Sequence, residues 1–80
     1  MNRVPDVLRI HPADNVLVAL RPLKAHDRAD GVVLVQDIPP GHKLAARAIG
    51  AGEPVIKYGY PIGVATKDIA PGEQCNMVLR

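Results

Sequence analysis

DIPPG at 37–41, AIGAG at 48–52 and DIAPG at 68–72 share one pattern, Ile-x-x-Gly followed by a polar residue. An isoleucine so placed anchors the end of a strand in a core, and the glycine supplies the positive φ that a tight turn needs. Pro40 with Gly41, and Pro71 with Gly72, fit the two central positions of a type II turn. Outward from these turns, apolar residues come in short alternating or continuous blocks, bounded about every eight to twelve residues by Pro and Gly. No window carries a helical repeat, so the chain reads as all-β, a compact looping fold of short strands rather than a simple meander. Strands are expected at 7–10, 15–20, 31–36, 43–48, 54–56, 62–65 and 74–79. The polar stretch KAHDRADG at 24–31 reads as an exposed loop or a single helical turn.

Eighty residues make one domain, 1–80, and at this size folding buries only about 60–65% of the exposable surface. The apolar fraction is 48% yet contains no Phe and no Trp, so the core falls to Val, Ile, Leu and Ala. Net charge is +2, the ten Lys and Arg never form a run of three, and stacking rings are scarce; this argues against a nucleic-acid partner. A single cysteine, Cys75, excludes an internal disulfide. The first residues lack an apolar signal core, and the longest apolar runs, VLVAL at 16–20 and VVLV at 32–35, are too short to span a membrane. A soluble, cytoplasmic protein is expected, with edge strands that leave self-association open.

Few groups carry chemistry. His42 and Lys43 follow the first Pro-Gly turn directly, so on an extended strand their side chains point to opposite faces. His42 reads either as a general acid or base or as a turn-exit histidine bonded to local backbone. Lys43 reads either as a solvated strand residue or as a point charge for a carboxylate. Lys57, Tyr58 and Tyr60 gather at a glycine-flanked bend, where the phenols either bond a polyol or cap the core. His11 and His26 have no second ligand at a metal spacing and read as surface residues. No Cys-x-x-Cys, Gly-x-Ser-x-Gly or phosphate-binding glycine loop is present.

Four blocks, DNVLVAL, GHKLA, GEPVIKYGYPIG and DIAPGE, occur in order over about 8–73. Together they resemble the small SAF domain of the altronate dehydratase family of sugar-acid dehydratases. The resemblance implies a β-clip fold and a place in a hydro-lyase that removes water from an aldonic or aldaric acid. In that family the domain begins a longer chain, with a C-terminal catalytic domain, or stands as a small subunit beside a large one. Activity depends on a divalent cation, typically iron or manganese. Carried onto this chain, the resemblance implies an acid-base or substrate-orienting role for His42, carboxylate contacts for Lys43 and Lys57, and a hydroxyl contact for Tyr58.

One departure bears on the cation. Where the family commonly continues into a V-H-x-H-N segment, this chain reads QCNMVLR. Without that histidine pair the metal is expected in the partner subunit, with none bound by this domain alone. The same loss supports a second reading, a non-catalytic β-clip module for sugar-acid binding or assembly.

Overall fold

The computed structural model describes residues 6–79. It is all-β, with eight short strands: β1 (Val7–Leu8), β2 (Val16–Ala19), β3 (Arg28–Ala29), β4 (Val32–Val33), β5 (Lys43–Ala45), β6 (Pro54–Lys57), β7 (Tyr60–Ala65) and β8 (Met77–Leu79). They form antiparallel sheets ordered β1-β2-β5, β3-β4 and β6-β7-β8. No helix among the described residues is long and apolar enough to cross a membrane.

The continuous apolar run at 16–20 becomes β2, and its continuity has a structural reason. Leu17 and Ala19, with Leu44 of β5, enter one core built on Leu23, Leu34 and Ile38. Val16, with Ala45 of β5, enters a second core built on Ile49, Val55 and Ile69. Successive side chains of a strand face opposite ways, so the β2-β5 pair serves both cores, one on each face.

Around that pair the backbone bonding is repeated. Residues 19–27 and 34–42 are bonded like 45–53 and 65–73. Leu23 and Ile38 exchange N–H···O bonds, as do Ile49 and Ile69. The Gly41 N–H donates to Ala19 O, and the Gly72 N–H to Ala45 O. Asp37 accepts from the Ala25 N–H as Asp68 accepts from that of Ala51. The sequence pattern is thereby corrected: DIPPG and DIAPG are equivalent, but AIGAG is the pairing partner of DIAPG rather than a third copy. Its counterpart is PLKAH at 22–26, hidden from the pattern because Lys24 and His26 stand where Gly50 and Gly52 do. His26 adopts the left-handed φ of 76° that Gly52 adopts at 82°.

Both expected type II turns are present, closed by His42 N–H to Pro39 O and Glu73 N–H to Ala70 O. Several strands are shorter than expected: 31–36 reduces to Val32–Val33 and 43–48 to Lys43–Ala45. The stretch 24–31 is neither wholly loop nor helical. It contains β3, turned into β4 by Asp30 and Gly31, both at positive φ as a two-residue type I′ hairpin requires.

Gly41 and Gly72 share a turn but not an environment. A Cβ at Gly41 meets nothing within 4 Å, whereas one at Gly72 would overlap the Val33 carbonyl. Gly41→Ala is expected to cost about 1 kcal/mol from the left-handed φ alone. Gly72→Ala should cost about 2–5 kcal/mol, because the backbone must also move. Chemical denaturation of both variants measures the difference; equal losses would contradict it.

Candidate functional site

His42 and Lys43 sit where the first type II turn enters β5. The turn fixes the His42 backbone, whose carbonyl accepts from the Ala19 N–H at 2.9 Å. Its side chain is exposed, and Nδ1 lies 3.2 Å from the Gln74 amide nitrogen. With that amide donating, the ring proton rides on Nε2. Gln74 is held in turn, its N–H donating to Gln36 Oε1 at 3.0 Å. Neither glutamine stood out in the sequence; Gln74 meets His42 because it bridges to Leu44. Lys43 is half-buried opposite Val18, and no carboxylate among the described residues pairs with its ammonium.

Lys57 and Tyr58 lie at the tip of the β6-β7 hairpin. Lys57 pairs with Tyr60, leaving Tyr58 and Gly59 as a two-residue type I′ loop at φ 57° and 78°. A tyrosine in the left-handed region is costly, about 1 kcal/mol or more, where Asn or Asp is usual. The Lys57 ammonium sits 4.8 Å from the Tyr58 ring centroid. Tyr58 and Tyr60 are 51% and 73% exposed and belong to neither core, so they do not cap one.

Underneath the tip lies HPADN, 11–15, which the sequence reading treated as surface and strand start. Asp14 and Asn15 are its buried polar members, 5% and 1% exposed. The Asn15 amide fills a gap in the sheet: Oδ1 accepts from the Ile56 N–H at 2.8 Å and Nδ2 donates to Pro54 O at 3.0 Å. Ile56 lies at the β-bulge opposite Pro61, and its carbonyl accepts from the Asn15 N–H. Asp14 Oδ1 accepts from the Gly59 N–H at 2.8 Å and Oδ2 from the His11 N–H at 3.1 Å. Burial pushes the Asp14 carboxyl up, but the N–H groups of Gly59, Tyr58 and His11 outweigh it and hold the pKa below the ordinary aspartate value. A signal was available: Asp-Asn before an apolar run is a typical pair for satisfying stray backbone donors and acceptors.

The two sets are not adjacent. Ala19 bonds His42 at one end of β2, and Asn15 bonds Ile56 beyond the other, about 13 Å apart along the strand. A depression of about 570 Å³ lies elsewhere, among Ile49, Gly50, Glu53, Asp68 and Glu73. Its carboxylates cap turns: Glu53, Asp68 and Glu73 accept from the N–H groups of Gly50, Ala51 and Ala70. No three His, Cys, Asp or Glu side chains gather as a metal cage among the described residues. Burial pushes the Cys75 thiol up, against a weaker pull from Lys43, which suits a packing role beside the second core. The described residues therefore do not fit a bound iron or manganese ion.

The described residues thus present an all-β domain with an amide-oriented histidine and two half-buried lysines that no carboxylate pairs. Over residues 5–78 the chain matches the altronate/galactarate dehydratase SAF domain, and it belongs to that family. It is 42% identical to an altronate dehydratase of Bacillus subtilis over 74 residues, which cover 88% of this chain and 15% of that protein. It is 40% identical to a galactarate dehydratase (L-threo-forming) of Escherichia coli over 81% of this chain and 13% of that protein. It is 34% identical to the (2R)-sulfolactate sulfo-lyase subunit alpha of Chromohalobacter salexigens, covering 85% of each. The chain thus spans about one-seventh of the dehydratases it matches and most of the sulfo-lyase subunit.

The depressed Asp14 pKa gives a signed expectation. Its stabilisation is complete above the unfolded aspartate pKa of about 3.9 and is lost as pH falls through the folded value. The gap in melting temperature between wild type and Asp14→Asn should be widest near neutral pH and narrow below about pH 4. Melts at stepped pH measure it, and a constant gap would refute the role.

Proposed function

We propose that this chain is the accessory part of a cytoplasmic sugar-acid dehydratase, acting with a large catalytic subunit or domain to remove water from an aldonic or aldaric acid. The family membership supports the reaction class. The single observation that carries the local reading is the exit of the first type II turn. There an exposed imidazole is oriented by an amide, and the neighbouring ammonium is uncommitted.

The reaction sets the demands. A proton leaves the carbon next to a carboxylate, the enediolate so formed must be stabilised, and the neighbouring hydroxyl departs with a proton. His42, with Nδ1 held by Gln74, offers Nε2 for proton transfer to or from the substrate. Lys43 and Lys57 supply positive charge for carboxylate, and Tyr58 a phenol for a substrate hydroxyl. The divalent cation, iron or manganese, belongs to the partner in this reading and stabilises negative charge on the substrate when bound. The substrate is altronate-like, galactarate-like or a sulfolactate, each with a carboxylate beside a hydroxylated carbon; with a sulfolactate the departing group would be sulfite in place of water.

Tagged chain recovered from its host is expected to bring down a large subunit and to dehydrate a sugar acid when iron or manganese is added. A clean, inactive homo-oligomer would instead favour the assembly-module reading. In the active complex, His42→Ala should lower kcat about 10²- to 10⁴-fold with an unchanged melt. Full activity in that variant would remove His42 from the mechanism.

A further inference from the structure

Tyr58 holds a left-handed backbone that a tyrosine avoids, and the loop beneath it is built to keep it there. Two N–H groups, those of His11 and Gly59, donate to the carboxylate of Asp14, a buried side chain distant in sequence from the hairpin. The His11 ring leans on Gly59 from the same side: a Cβ placed on Gly59 would lie 3.0 Å from His11 Cδ2. That ring is itself fixed, Nδ1 accepting from the Ala13 N–H at 3.0 Å. The β3-β4 hairpin offers an internal contrast. Its type I′ loop is Asp30-Gly31, with a residue suited to the conformation and with nothing within 4 Å of a Cβ on Gly31. A strained residue held by remote contacts marks a place where the conformation itself is needed.

We propose that Asp14, with His11 as its brace, is a positioning residue for the Lys57–Tyr58 tip. It fixes the loop so that the phenol and the ammonium stacked on it face a sugar-acid carboxylate and hydroxyl as one unit. The inference rests on the reading of Lys57 and Tyr58 as substrate contacts. Asp14 touches no substrate; it acts through the Gly59 amide. Losing it leaves the contacts present but poorly placed, so substrate binding weakens while the chemical step is spared.

Two measurements test this. In the 80-residue chain, amide exchange at Tyr58 and Gly59 is expected to accelerate at least tenfold in Asp14→Asn, while Gly31 stays as in wild type. In the assembled dehydratase, the same variant should raise KM for the sugar acid about tenfold with kcat within about twofold. His11→Ala changes an exposed residue outside both cores, so it serves should Asp14→Asn fold poorly; it should shift KM in the same direction by a smaller factor. Unchanged exchange at Gly59 overturns the latch. Faster exchange with an unchanged KM, in an enzyme that Lys57→Met impairs, overturns the positioning role. An enzyme indifferent to Lys57→Met overturns instead the reading of the tip on which the proposal stands.

Discussion

Strands β2 and β5 bury side chains on both of their faces, and the rest of the molecule is arranged around that fact. Leu17, Ala19 and Leu44 on one side, and Val16 and Ala45 on the other, are each at most 2% exposed. The chain has no Phe or Trp, and its aliphatic residues form two small cores that share a central ladder. Every buried aliphatic side chain then counts, since its loss leaves a cavity that a small core fills poorly.

The shared ladder also decides where chemistry sits. Because β2 is covered above and below, polar groups gather at its two ends. One end carries His42 and Lys43 on a turn locked to Ala19; the other is HPADN, whose carboxylate and amide reach across to the hairpin. Rigid backbone supplies the placing and the side chains supply the function, the usual division between scaffold and loop. The cations at both ends are free of carboxylate partners among the described residues, whereas the acids of the depression are spent on capping turns.

Much of the architecture was legible in the residues. The all-β class, the type II turns at Gly41 and Gly72, and seven of the eight strand positions follow from turn chemistry and short apolar blocks. β3 was missed because its two residues, Arg28 and Ala29, lie in a polar stretch, although Asp30-Gly31 is a strong hairpin signal. The equivalence of AIGAG and PLKAH was hidden because His26 adopts a glycine-like conformation. His42, Lys43, Lys57 and Tyr58 are candidates named from the sequence, but the separation of the two pairs along β2 could not be read there. Asp14, Asn15 and Gln74 act through long-range bonds that spacing does not reveal.

The repeated bonding gives a way to separate framework from function. Where the two halves agree, as in Leu23–Ile38 against Ile49–Ile69, the residues serve closure of the chain. Where they disagree, something else has been installed. The two equivalent turn exits carry an imidazole in one half, His42, and a carboxylate in the other, Glu73, on the same backbone geometry. The hairpin of the second half is the longer one, 54–64 against 28–33, and its extra length is what carries Lys57 and Tyr58 out over HPADN. Broken symmetry thus works as a map: His42 and the Lys57–Tyr58 tip both lie where one half has departed from the other.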